Sequence, residues 1–412
     1  MGRDDAMEAM LRDLMHFADI TSRGFSVDPD AEALVYRSPR VKAAVPGSQW
    51  TGSIGEARGV IRLPDRWNGK LIIGATGGVR SEYSLDLFLG DIALQRGYAF
   101  AASDKGTPHL TLRDAGRHMG EWKTCYEQLT TVANALVRDH YGKSPERVYI
   151  AGISNGGYVV RAMLEQSGRL FDGGVDCEGV LWHTGSRHLL TCLPVYLSAY
   201  PIFRNWWGDA TASERSRSFW QLVEAGLDPR SSGAWEEYFR KYWVVSLWLY
   251  GRNLDPTWPA FAADWTDDWL RNPSDLASYP WRDRQSYSAD GIAAIANSGV
   301  ITAPLLSVAG NWDCLVPFPH HAEAYGRMVA AAGKGRLHRI YEIDRANHVD
   351  GLLRQNRGFQ QPIQPFCEAA LYHLENWVER AKEPPASGLY AAVGEFAGEF
   401  SLYTAPEEGE QE

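Results

Sequence analysis

The feature that most constrains this chain is a series of short apolar runs at 60–63, 71–73, 98–102, 148–151, 180–182, 305–309 and 340–343. Most are uniformly apolar. A strand with one wet face alternates apolar and polar residues, whereas a strand buried on both faces does not, so these runs predict a mostly parallel sheet covered on both sides. Helical patterns separate them, at about 119–140, 156–166, 322–332 and 367–381. Strand and helix in alternation predict an α/β class with a doubly wound sheet. The alternation stops between about 189 and 298, which predicts a helical insertion forming a cap over the sheet.

The expected organisation is therefore an N-terminal helix and extension over 1–58, a core over 59–188 and 299–383, a cap over 189–298, and an acidic tail over 384–412. Met7, Leu11, Leu14 and Ala18 recur at helical spacing, so the first twenty residues are expected to form an amphipathic helix. The tail follows Pro384 and Pro385 and ends in Glu407, Glu408, Glu410 and Glu412, so it is expected to be frayed and solvated.

Composition narrows the partners. With 45% hydrophobic residues and a net charge of −10, the chain can bury a core, and it lacks the basic stripe that nucleic acid or an anionic membrane surface calls for. No stretch of about 18 apolar residues would cross a membrane. Asp4, Asp5, Glu8 and Asp13 interrupt the region where an export signal needs an apolar stretch, which points to a cytoplasmic home. The five cysteines, Cys125, Cys177, Cys192, Cys314 and Cys367, are odd in number and lack CxxC spacing, so neither a disulfide framework nor a zinc site is expected.

Chemistry concentrates at Gly152-Ile153-Ser154-Asn155-Gly156, a GxSxG pattern placed where an apolar run ends and a helical pattern begins. A sharp strand-to-helix turn strains the serine backbone and needs small neighbours, and it presents the hydroxyl beyond the sheet edge. The amides that open the following helix point toward developing negative charge.

With that motif and its context, the chain resembles the α/β-hydrolase superfamily, whose members carry nucleophile, acid and histidine in that order. The resemblance implies an α/β-hydrolase fold, with Ser154 as nucleophile. It places the acid at Asp313, in Gly310-Asn311-Trp312-Asp313 after the run at 305–309, and the base at His348, in the loop after the run at 340–343. Asp344 and Asp350 compete for the acid, and His183, His188, His320 and His321 for the base. Asp344 sits on a strand, Asp350 adjoins the histidine too closely to fold back, and His348 alone follows the last strand. The resemblance further implies an oxyanion hole made by the amide of Asn155 and that of Gly77 or Gly78, in the loop after the run at 71–73.

Gly74-Ala75-Thr76-Gly77 also resembles the opening of a dinucleotide-binding turn. Arg80 stands where the third glycine belongs, and the next acidic strand end, Asp104, lies too far along, so a nicotinamide enzyme is disfavoured. Asp104-Lys105-Gly106 reads as a salt-bridged loop. Within the superfamily, the run Gly97 to Asp104 and the large insertion look like the tannase and feruloyl-esterase group, which cleaves esters of aromatic acids. That group sets cysteines beside its serine and histidine, where this chain has Ile153 and Val349.

Ten of the sixteen tryptophans fall between Trp206 and Trp281, inside the expected cap. Most are expected to build the cap's core and a few to line an apolar pocket; outside the cap, Trp312 beside Asp313 is the candidate for facing substrate. The expectation is a serine hydrolase that cleaves a bulky apolar or aromatic small-molecule ester through an acyl-enzyme, with no metal or organic cofactor. A peptidase or amidase, or a biosynthetic acyltransferase or cyclase, would use the same three residues.

Overall fold

The computed structural model describes residues 8, 10–25, 27–35, 41–107, 118–355 and 360–398. Among these, ten strands form one sheet: β1 (Met15–Phe17), β2 (Gly47–Ile54), β3 (Ala57–Pro64), β4 (Lys70–Ala75), β5 (Ala99–Ser103), β6 (Arg147–Ile153), β7 (Gly173–Cys177), β8 (Leu305–Gly310), β9 (His338–Ile343) and β10 (Gly388–Tyr390). Their order is β1-β2-β3-β5-β4-β6-β7-β8-β9-β10. The pairs β1–β2, β2–β3 and β3–β5 are antiparallel, and every pairing from β5 across to β10 is parallel.

The uniform apolar runs have the expected cause. Leu71, Ile72 and Ile73 of β4 are fully buried, as are Leu305, Leu306 and Val308 of β8. The main helices are α1 (Trp122–Tyr141), α2 (Asn155–Gln166), α3 (Leu189–Phe203), α4 (Ala212–Glu224), α5 (Val244–Leu254), α6 (Trp281–Ile295), α7 (Ala322–Ala331) and α8 (Gln364–Arg380). Helix α1 turns Leu129, Ala133, Leu136 and Val137 inward at helical spacing and stops at Gly142, whose φ of 74° ends the helix without steric cost.

Four expectations need correction. The run at 180–182 is not a strand: the pairing strand is β7, whose Gly173-Gly174 start hides it from a search for apolar runs. The first twenty residues are not one helix, since Met15–Phe17 pairs with β2 and Leu11 is exposed. The sheet also reaches before residue 59, through β2, whose outer half alternates buried and exposed positions. The tail is ordered as far as 398: β10 pairs with β9, and the buried Phe396 packs on Tyr341 at 4.5 Å between ring centroids. Glu407, Glu408, Glu410 and Glu412 lie outside the described residues.

Cysteine pairing departs from the sequence reading as well. Cys177, at the end of β7, is bonded to Cys367 of α8 across 190 residues, with their Cα atoms 6.2 Å apart. Spacing offers no clue to so distant a pair. Disulfides persist mainly in oxidising compartments, which weighs against the expected cytoplasmic home. Among the described residues, no helix is long and apolar enough to cross a membrane.

The segment between β7 and β8 is helical, carrying α3 to α6. Trp235, Trp243 and Trp248 are fully buried in it, while Trp207 and Trp220 are each 54% exposed. Tyr200 sits among Phe203, Trp206, Phe239 and Trp243 with ring centroids 5.4 to 6.3 Å away, so large flat side chains make this core.

Candidate active site

A parallel sheet gathers the carboxyl ends of its strands on one edge, and here five neighbouring ends deliver polar groups to one place. The loop after β4 carries Thr76, Gly77 and Gly78; β6 leads to Ser154, β7 to Glu178, β8 to Asp313 and β9 to His348.

Ser154 holds φ 61° and ψ −119°, a conformation that costs an L-residue energy and survives only because its surroundings enforce it. Those surroundings need glycine on both sides. A Cβ on Gly156 would lie 1.8 Å from the carbonyl oxygen of Ala75, and one on Gly152 would lie 2.5 Å from the same atom. The Ser154 N–H donates to the Cys177 carbonyl at 2.8 Å, pinning the turn to β7.

The three residues expected to act together are brought together. His348 Nε2 lies 2.9 Å from Ser154 Oγ, and His348 Nδ1 lies 2.7 Å from Asp313 Oδ2. With the carboxylate accepting at Nδ1, that nitrogen carries the proton and Nε2 is free to accept one from the serine. Asp313 Oδ1 accepts the N–H groups of Leu315 and Val316, each at 2.7 Å, so the carboxylate is held in place and its charge is spread over donors. Asn347 joins the Asp313 and His348 loops: its Oδ1 accepts the Cys314 N–H at 3.0 Å and the His348 N–H at 2.8 Å.

The competitors go elsewhere. Asp350 accepts the Ile363 and Gln364 N–H groups at the start of α8, and burial pushes its carboxyl up to about 7. Asp344 takes the side chains of Asn311 and Arg345. His321 accepts the Leu181 N–H at 2.9 Å. His188 packs edge-on to Trp281 at 4.5 Å.

Asn155 is fully buried at the start of α2. Gly77 abuts Ser154, since a Cβ there would meet the Ile153 carbonyl oxygen at 3.0 Å and Ser154 Cβ at 3.7 Å. Gly78 takes a left-handed φ of 52°, and its carbonyl accepts from Asn155 Nδ2 at 3.4 Å. Trp312 is buried with the Arg230 guanidinium 5.7 Å from its ring centroid.

Sequence reasoning missed four groups. Lys105 does not form the expected salt bridge. It is buried, donates from Nζ to Thr76 O at 2.8 Å and to Thr76 Oγ1 at 2.7 Å, and so holds the root of the Gly77 loop. Burial lowers its ammonium to about 7. Its neighbour Asp104 accepts the Arg58 and Gly106 N–H groups instead. From the insertion, Tyr250 Oη accepts from Asn155 Nδ2 at 2.6 Å, and Trp243 Nε1 donates to the Cys314 carbonyl at 2.7 Å. Glu178 is buried beside Asp313. An acidic residue closing the strand beside the nucleophile strand was the available signal for Glu178, once β7 is placed correctly.

Carboxylate oxygens of Glu178 and Asp313 and a ring nitrogen of His348 lie within 4.8 Å of one another, a donor set that could take a cation. A metal bound there would take Asp313 away from His348 and leave the serine's partner unoriented, so the geometry fits a proton in that place better than a metal.

The model of the prolyl oligopeptidase family matches residues 91–188, a stretch that includes the Ser154 turn. No curated protein sequence matches the chain. Among solved structures, an esterase from Aspergillus oryzae is similar at a TM-score of 0.55 and 13% identity, covering 90% of this chain and 86% of that one. Feruloyl esterase B from Aspergillus oryzae is similar at 0.53 and 12% identity, covering 90% and 87%. Tannin acyl hydrolase from Aspergillus niger is similar at 0.53 and 13%, covering 90% and 83%. The mostly parallel sheet with its antiparallel margin, the partial family match and these likenesses agree on the architecture, and the chain has an α/β-hydrolase fold.

Proposed function

We propose that this protein is a serine esterase that hydrolyses a bulky apolar or aromatic carboxylic ester through an acyl-enzyme. The observation that carries the proposal is the unbroken relay of hydrogen-bond distances from Ser154 Oγ through His348 to Asp313, 2.9 Å and then 2.7 Å. In this scheme His348 Nε2 takes the hydroxyl proton as Ser154 Oγ attacks the ester carbonyl, and Asp313 stabilises the imidazolium. The amides of Asn155 and of Gly77 or Gly78 hold the oxyanion. His348 returns the proton to the departing alkoxide, leaving an acyl-serine, and then activates the water that releases the acid. The helical insertion serves as the cap, and its aromatic core favours a bulky acyl group.

Two of the similar structures are by name a feruloyl esterase and a tannin acyl hydrolase, which supports the ester preference. The prolyl oligopeptidase match supports a second reading, a peptidase built on the same residues. An ester and an amide of one aromatic acid, compared under the same conditions, decide between them: faster turnover of the amide overturns the esterase. The central assignment is tested with a fluorophosphonate probe. Wild type is expected to label and Ser154→Ala to stay unlabelled; equal labelling of both removes Ser154 as nucleophile.

A further inference from the structure

Glu178 follows β7 in a left-handed conformation with φ 49° and is 1% exposed. Its backbone N–H donates to Val308 O at 2.9 Å, and its Oε1 accepts the Gly310 N–H at 2.7 Å. Both partners belong to β8, the strand that leads to Asp313. Glu178 therefore ties the strand beside the nucleophile to the strand that leads to the acid.

The other oxygen, Oε2, is buried without any protein donor. An ionised carboxylate left in that state would carry the full cost of desolvation. The Arg161 guanidinium that could offset the charge is engaged by Asp176 at 2.6 Å. What stands near Glu178 is a second carboxylate, Asp313, with His348 beyond it, all three donor atoms within 4.8 Å. Two carboxylates confined together do not both stay ionised, and the one with more donors keeps the charge. Asp313 has the Leu315 and Val316 amides and His348, whereas Glu178 has one amide. Burial first, and then the neighbouring Asp313 and Asp176 charges, raise the Glu178 carboxyl well above its ordinary range.

We propose that Glu178 is a positioning residue, a neutral carboxyl whose O–H donates from Oε2 to the Asp313 carboxylate and fixes the group that orients His348. The proposal rests on the assignment of Asp313 and His348 given above. The donated bond satisfies the stranded Oε2 and draws charge from the Asp313 carboxylate that faces His348 Nδ1. The groups facing Glu178 that enter this balance are Asp313, Asp176 with Arg161, and His348.

The test pairs Glu178→Gln with Glu178→Leu. The glutamine amide can accept from Gly310 and donate to Asp313, so kcat and KM stay within about threefold of wild type and the acid limb of the kcat/KM pH profile does not move. Leucine cannot donate, so kcat falls about tenfold or more at nearly constant KM, and the acid limb moves to higher pH as the Asp313 carboxylate keeps its full charge. Loss of activity in Glu178→Gln equal to that in Glu178→Leu, or an unmoved acid limb in a folded Glu178→Leu, overturns the proposal. A second measurement needs neither turnover nor the leucine variant. The infrared difference between wild type and Glu178→Gln at pH 7 is expected to contain the carbonyl stretch of a protonated carboxylic acid, and a carboxylate band in its place overturns the proposal. That band is read in Ser154→Ala as well, so a failed nucleophile assignment and a failed Glu178 assignment give different results.

Discussion

The edge of the parallel sheet and the helical insertion contribute to the site in opposite ways. At the sheet edge, backbone geometry does the positioning: Ser154 is forced into its turn by glycines packed on Ala75, and Asp313 is held by two amides. The insertion reaches the same place with side chains, through Tyr250 on Asn155 and Trp243 on the Cys314 carbonyl. The candidate catalytic groups therefore sit on the edge, and the insertion supports their surroundings with side chains. A backbone-built site tolerates little change, whereas a side-chain support can be weakened by degrees.

The largest effect expected from this contrast is at the base. His348→Ala should lower kcat on the order of 10⁶-fold, measured on a chromogenic aryl ester, because nucleophile and base act as one unit. A loss under about a hundredfold would put the chemistry elsewhere. Tyr250→Phe removes one neutral hydrogen bond to Asn155 and should cost kcat about three- to tenfold with little change in KM. A loss comparable to that of His348→Ala would erase the distinction between edge and insertion.

Stability sharpens the same contrast. Trp243→Phe leaves the buried Cys314 carbonyl without its donor and should lower the unfolding free energy by about 1–3 kcal/mol in a denaturant titration. Trp220→Ala, at a side chain 54% exposed, should stay within about 0.5 kcal/mol. Equal losses would mean that tryptophan does not build the insertion's core. A further effect, read in pH, concerns Glu368 of α8, which burial raises to about 8. A carboxyl raised in the folded state gives its stability below its unfolded value and loses it as pH climbs toward the folded one. Tm should therefore drift down by a few degrees between about pH 5 and 8, and Glu368→Gln should flatten that drift.

The same contrast explains what the sequence disclosed. Ser154 was legible because the close approach of Ala75 demands glycine at both 152 and 156, a steric need written directly in residue type. Asp313 and His348 were legible through chain order, the first after β8, which is buried throughout, and the second after β9, which is only partly buried and mixes polar with apolar residues. β7 was misplaced because glycine at 173 lets Leu374 of α8, and glycine at 174 lets Val160 and Leu164 of α2, pack against the backbone, and no apolar run remains. With β7 misplaced, Glu178 had no strand end to mark it. Tyr250 and Trp243 were illegible individually, because in a core of stacked rings nothing local tells the ring that reaches the site from those that only pack. The Cys177–Cys367 bond was invisible for a similar reason: only the fold brings β7 and α8 together.

Both margins of the sheet end in three-residue strands, β1 and β10. Such short ribbons present little backbone for another molecule to pair with, and they cover the longer β2 and β9, which could otherwise recruit a stray strand. Removal of the segment after 383 would take the partners from Tyr341, Glu342 and Ile343 and leave the outer edge of β9 as a template. The chain would then gain a route to self-association far from Ser154, and the last strand is thus a guard on solubility as much as a part of the fold.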